Sequence, residues 1–268
     1  MCVYNPMTGE RTFFSAPPDI GKCYTYPQPL DEIYDLLTAA DGIGCSFMLF
    51  VADFSGFSDF SCTIRAQTMS SDGGGTWGPI ACVGDRNISW AFLEQCRRAV
   101  VLHGGVIHWL ANCDKILTYQ VSTLTPGSVK LPVTGCKVSQ LHLGKSPEGR
   151  LRLLVADGFT VSVWLLSSGN AWELKTVMDR EDQLRLLDPK IPPGPVFLQF
   201  RSSGERSGAA FLRVASRYRR DPCGPLIVLD VETGNMQRIK GTPWDSLLIE
   251  VDLPTRLRDM KTFTELRE

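Results

Sequence analysis

Cys96, His103, His108 and Cys113 bring two thiols and two imidazoles close together in sequence, the donor types of a zinc site. Their spacing matches no common tetrahedral pattern, so no metal is expected. Glu148, Asp157, Glu173 and Asp179 supply the carboxylates that glycoside chemistry requires. Hairpin and helix-capping positions account for them, and no catalytic pair is assigned. The chain has no Gly-x-Ser-x-Gly elbow and no Gly-x-x-x-x-Gly-Lys phosphate cradle, and Ser207 has no base nearby in sequence. His142, within Gln140-Leu141-His142-Leu143, is read as a hydrogen-bonded strand residue rather than a base. The expectation is a non-enzymatic chain with no catalytic residue, metal or cofactor, and with binding residues that the sequence does not name.

The sharpest local signal is Ser70-Ser71-Asp72-Gly73-Gly74-Gly75-Thr76-Trp77. It fits the spacing Ser-x-Asp-x-Gly-x-Thr-Trp of the Asp-box, a hairpin motif of sialidases and many other β-propellers. Its physics is that of a turn: Asp72 can bond backbone amides in the loop, and the glycines allow positive φ. Trp77 is expected to drop onto the next strand as a buried packing anchor. The sialidase reading also needs an early Arg-Ile-Pro type motif, which is absent. A sialidase-like glycan-binding or glycan-hydrolysing propeller is therefore kept as the alternative.

Such a turn needs strands on either side, and the chain is rich in short β-type runs bounded by Gly, Pro, Asp and Ser. They include 46–52, 99–103, 106–110, 116–121, 151–156, 160–166, 196–200, 209–214 and 226–231. Val101 to Leu110 reads as a hairpin with Gly104-Gly105 at its turn, His103 and His108 on one face and Trp109 on the other. Phe47-Met48-Leu49-Phe50-Val51-Ala52-Asp53 echoes Leu151-Arg152-Leu153-Leu154-Val155-Ala156-Asp157. Turns ending near Gly9, Gly169 and Gly234 repeat the strand, polar turn, strand pattern of the Asp-box. Copies recur at steps of about 45 to 65 residues, the range of propeller blades with variable loops.

Blade material is placed at 37–84, 99–133, 136–179 and 195–240, with a partial blade before residue 15. Leu247 to Val251 reads as a closing strand. Asp179 caps a short helix through Leu187 that Pro189 ends, and Pro254 to Met260 forms a second helix. Residues 15–35 are a proline-containing excursion, and Ile33 to Ala39 is ambiguous between helix and strand. Met1 enters what looks like the third strand of a blade, and the reading favours loss of upstream sequence over pairing with the C-terminal strand.

Composition sets the class. The 268 residues are 43% hydrophobic and 21% charged with a net charge of −1, so neither the basic footprint of a nucleic-acid binder nor an apolar membrane span is present in the sequence. Arg213, Arg217, Arg219 and Arg220 are read as a solvated loop cluster. Nine scattered cysteines without a Cys-x-x-Cys pair, and a polar start, suggest small buried thiols in a reducing compartment, cytoplasmic or nuclear.

Tyr4-Asn5-Pro6-Met7-Thr8-Gly9-Glu10 resembles the Cys-Asn-Pro-x-Thr-Gly motif of plant F-box-associated domains. The Gly105 to Leu110 hairpin is similar to their Asn-Gly-x-x-His-Trp-Leu element, with Gly104 where Asn is usual. Leu36 to Gly42, Ser46 to Asp53 and Val251-Asp252-Leu253-Pro254 resemble grass-type members. The resemblance implies an all-β β-propeller of Kelch or F-box-associated type, incomplete, spanning residues 1–268 as one domain with short connecting helices. It further implies a module that selects protein substrates for an SCF ubiquitin ligase. No F-box segment precedes Asn5, so the ligase adaptor is a partner only if an F-box is supplied upstream. Loops 53–60, 84–97 and 200–208, with Phe54, Phe57, Phe60 and Arg206, are the places where a partner would be gripped.

Overall fold

The computed structural model describes residues 2–4, 11–18, 20, 32–38, 43–45, 47–58, 61–85, 100–102, 104–110, 114–189, 191, 196–203, 208–216 and 226–239. The fold is all-β, of the β-propeller class. Its blades are four-stranded meanders in which each strand pairs with its sequence neighbour. The first of these sheets runs β3 (Glu32–Thr38), β4 (Phe47–Ser58), β5 (Ser61–Ser70) and β6 (Ala81–Asp85). The second runs β7 (Val100–Leu102), β8 (Val106–Leu110), β9 (Lys115–Gln120) and β10 (Thr125–Lys130). The third is β11 (Leu141–Lys145), β12 (Leu151–Asp157), β13 (Thr160–Leu166) and β14 (Trp172–Asp179). The fourth is β15 (Val196–Ser203), β16 (Ala209–Ser216), β17 (Leu226–Asp230) and β18 (Met236–Ile239). Ahead of them β1 (Cys2–Tyr4) pairs with β2 (Arg11–Phe13).

These limits follow the expected blades closely, with one correction. The first full sheet begins at Glu32 rather than residue 37, because the ambiguous run at Ile33 is a strand in register with β4, Ile33 opposite Ala52. The proposed closing strand at 247–251 and the helix at 254–260 lie outside the described residues.

The chain divides into two compact units. One comprises Met1–Val138, Gly149–Arg152 and Trp164–Glu173; the other comprises Ser139–Glu148, Leu153–Val163 and Leu174–Glu268.

In the first unit the core is a match of small against large. Ala52 lies opposite Ala66, and Ala66 opposite Ala81, so three strands of one sheet present a row of methyl groups. Phe50, Trp109 and Tyr119 pack in the same cluster with Ile107, Leu117 and Val121. The Phe50 ring lies 5.8 Å from Trp109 and 5.9 Å from Tyr119, both tilted. Small residues make room where rings must enter, which is how close packing is reached without strain.

In the second unit Leu154, Ala156, Val161, Val163, Leu198, Leu212, Ile227 and Leu229 belong to one core with Leu184 of the helix α1 (Glu181–Leu187). The helix starts as the sequence suggests: the Glu181 amide donates to Asp179 Oδ1 at 3.1 Å. It stops because Asp188 precedes Pro189 and is extended, with φ −141° and ψ 91°. Arg185 bonds Glu181 one turn back and lies 5.1 Å over the Phe159 ring, fixing the helix to the β12–β13 turn.

Candidate functional site

The turns between third and fourth strands carry the repeated motif, and each solves its backbone differently. In Ser70 to Trp77, Ser70 Oγ accepts the Asp72 amide at 3.2 Å and Thr76 Oγ1 donates to Gly73 O at 2.8 Å. Asp72 Oδ1 takes the Ser71 hydroxyl at 2.9 Å rather than a loop amide. Ser70, two residues ahead of the aspartate, makes the bond to a loop amide that was expected of Asp72. At Ser167 to Trp172 the Ser167 hydroxyl again accepts, here from the Ala171 amide at 3.2 Å. At the β17–β18 turn an aspartate does the work: Asp230 Oδ1 accepts the Thr233 amide at 2.9 Å and the Glu232 amide at 3.0 Å. Those donors, Thr233 first, hold its carboxyl below the ordinary carboxylate range against a smaller opposing effect of burial.

Trp77 is not the buried anchor that the sequence suggested. It is half-buried, and its indole N–H donates to Ser15 O at 3.1 Å, just beyond β2. Trp172 does the same with Lys130 O, the last residue of β10, at 2.7 Å. Both indoles leave a turn between third and fourth strands and reach backbone at the end of the last strand of the preceding sheet, β2 for Trp77 and β10 for Trp172. Trp109 does meet the expectation: only 1% of it is exposed.

Several polar side chains lie inside the sheets. Asp53 of β4 stands opposite Arg65 of β5 and is ion-paired with it. Gln67, two residues on and facing the same side, donates from Nε2 to Gly78 O at 2.7 Å. His108 is buried on the face of β8 away from Trp109, its Nδ1 3.3 Å from Val106 O. The His142 ring packs 5.8 Å from Phe200. Arg213 is not the solvated residue that was expected: it is 2% exposed in the middle of β16, opposite Gln199 on β15 and Leu226 on β17, while Arg217, Arg219 and Arg220 lie outside the described residues. Its strand neighbours Leu212 and Val214 point into the core, so alternation puts Arg213 on the second, also covered, face.

The other residues singled out by sequence are placed as follows. Glu173 pairs with Arg150 at 2.8 Å, and Asp179 caps α1. Phe54 and Phe57 fall within β4, with side chains outside the described residues. Phe60, Arg206, residues 86–97, His103, Cys96 and Cys113 also lie outside them. Among the described residues no group of three or more His, Cys, Asp or Glu is positioned for a metal ion. Cys45 and Cys136 are half-buried and Cys82 is exposed on the edge strand β6, so these three thiols are not the buried set that was expected. No described helix is long and apolar enough to cross a membrane.

The sequence reading missed the Asp53–Arg65 pair, although a strand hairpin that brings a carboxylate opposite a guanidinium was there to be found. It also missed Tyr119. This phenol is fully buried in β9, and burial pushes its pKa up to about 12. Neither its hydroxyl nor Trp109 Nε1 has a hydrogen-bond partner among the described residues.

Consecutive four-stranded meanders with polar turns and aromatic latches define a protein of the β-propeller class. The chain belongs to the family described as Domain of unknown function (DUF7595), which matches residues 57–263. Comparison with curated proteins finds no match. Among solved structures the chain is similar to the periplasmic gluconolactonase PpgL of Pseudomonas aeruginosa, at 15% identity and a TM-score of 0.37. That similarity covers 72% of this chain and 53% of the other, so the chain spans about half the length of that structure. A likeness of this size carries no argument about activity.

Proposed function

We propose that the chain is a non-enzymatic protein-binding module, resembling the substrate-recognition region of ubiquitin-ligase F-box proteins. The observation that carries this reading is the architectural use of its motifs. The Gly105 to Leu110 element, one of those shared with F-box-associated domains, forms β8 and places Trp109 in the core. In each of the three described turns a polar side chain bonds the backbone. With the motifs absorbed by the scaffold, partner recognition falls to side chains at the surface, and large apolar ones are available there: Phe13 is 75% exposed and Leu186 81%. Supply of an F-box upstream would couple such a module to a ligase adaptor.

Two measurements test the proposal together. Capture from cells, with this chain alone and with an F-box domain fused ahead of it, should recover a common partner that then binds the purified chain directly. The adaptor should appear only with the fusion. Steady turnover of a sialoside, another glycoside or a lactone by the purified chain, abolished by a single substitution, would replace this reading with an enzymatic one.

A further inference from the structure

Each four-stranded sheet ends on an outer strand, and three of those edges are poorly suited to pairing. β10 carries Pro126 and Gly127, β6 is five residues long and includes Gly84, and β18 has four residues with Arg238 turned to Leu187 O at the end of α1. β14 is different. It runs for eight residues, Trp172 to Asp179, without glycine or proline, and stands last in the order of its sheet. Leu174 is 49% exposed and Val177 56%, so apolar side chains on both faces of this edge meet solvent. Native proteins blunt an edge of this kind unless another strand pairs with it.

The edge is also held in place. The Trp172 indole ties its start to Lys130 O, and Asp179 at its end accepts the first amide of α1. Glu173 and Lys175 lie on one face of the strand, and each is set by a neighbour of opposite sign, Glu173 by Arg150 and Lys175 by Glu232, both at 2.8 Å. Both side chains remain exposed. A strand fixed in this way loses little freedom when it binds.

The residue order of β14 selects the occupant. When two copies of one strand pair antiparallel about a twofold axis, one residue must stand opposite itself, because opposite side chains share a face. Glu173 or Lys175 at that centre sets like charges against each other, and Thr176 sets Glu173 against Asp179. Val177 sets Glu173 against Glu181 and Leu174 against Arg180, where the strand has given way to α1. Centres nearer either end leave little of the strand overlapped. Leu174 is the centre that fits: it meets its own copy, Trp172 meets Thr176, and Glu173 meets Lys175 on both sides of the axis. The Arg150–Glu173 pair of one copy then joins the Lys175–Glu232 pair of the other in a row of alternating charge.

We infer that β14 is a homotypic pairing edge, to which a second copy of this chain adds its own β14 antiparallel in the register centred on Leu174. Two four-stranded sheets become one continuous sheet across the seam.

Sedimentation equilibrium of the purified full chain tests this. A concentration-dependent dimer is expected; a chain that stays monomeric up to its solubility limit overturns the inference and leaves the edge to an extended segment of another protein. Glu173→Lys and Lys175→Glu, each checked for a melt like that of the parent, should each weaken self-association at least about tenfold, because each sets like charges opposite one another twice. Mixed in equal amounts, the two variants should dimerise with each other, since every glutamate at the seam then faces a lysine. Undiminished dimerisation of either variant alone, or no association in the mixture, overturns the inference. The register is read by cross-linking: with a short bis-maleimide, Leu174→Cys should join two copies at position 174, and Val177→Cys should not join them at position 177. A link at 177, or none at 174, overturns the pairing even if the charge variants prove too damaging to fold.

Discussion

The indole N–H of Trp172 donates to the carbonyl of Lys130 across 2.7 Å, tying the start of β14 to the end of β10. Trp77 and Ser15 repeat the relationship at 3.1 Å. A polar tip on an apolar body suits this place, where one edge of the ring is covered and the other meets solvent. Besides core packing, a latch of this kind adds a hydrogen-bonded fixed point between an outer strand and the turn that follows in sequence.

The latch and the core tryptophan should therefore differ in cost. Trp172→Phe and Trp77→Phe keep a ring and lose a hydrogen bond, for about 1 kcal/mol each. Trp109→Ala leaves a cavity between two sheets and should lower stability by about 3–5 kcal/mol. Urea unfolding of the three variants measures this ordering. A loss at Trp77 equal to that at Trp109 would contradict the half-buried position of Trp77.

Gly234 should tolerate substitution less well than Gly74, although both have positive φ, 71° and 66°. A left-handed conformation costs a non-glycine residue about 1–2 kcal/mol at either position. At Gly74 a Cβ would meet nothing within 4 Å. At Gly234 it would run into the Arg180 guanidinium and come to 3.2 Å from Met178 Sδ. Gly234→Ala should lose more stability than Gly74→Ala, and adding Arg180→Ala should recover only the difference. Equal losses in thermal melts would show that Arg180 moves aside freely.

Asp230 gives the second unit an acid-sensitive turn. Its folded carboxyl is held below the ordinary value of 3.8, first by the Thr233 amide. A carboxyl with a lowered folded pKa contributes stability above its unfolded pKa, and that contribution drains away as pH falls through the folded value. Asp230→Ala should thus be less stable than the parent at neutral pH, with the gap closing below about pH 4. A gap in melting temperature that stays constant into acid would assign the turn's stability to Gly234 and the backbone instead.

Tyr119 acts at the other end of the scale. A phenol whose pKa is raised to about 12 by burial binds its proton more tightly folded than unfolded. Its neutral form is fully compatible with the fold below about pH 10, and stability falls as pH rises from there toward 12. Tyr119→Phe should flatten that part of the alkaline melting profile. Tyrosinate absorbance should show one phenol ionising late and together with unfolding; ionisation of every tyrosine before any loss of structure would refute the burial of this one.

Local chemistry made the strands and turns legible. Val106–Leu110 and Thr160–Leu166 form the strands read from their composition, because β-branched and aromatic residues between glycine-rich turns leave little else to form. The start of α1 at Asp179 and its stop before Pro189 were likewise written in capping chemistry and a fixed proline ring. What covers each face was not written there. Arg213 and Arg65 look alike in sequence, yet one is sealed in β16 and the other is partly exposed beside Asp53. Trp77 and Trp109 both follow a glycine-bearing turn, and one became a latch while the other became core. A strand's period specifies two faces and says nothing about which neighbour packs on them, so those outcomes were decided only when the sheets came together.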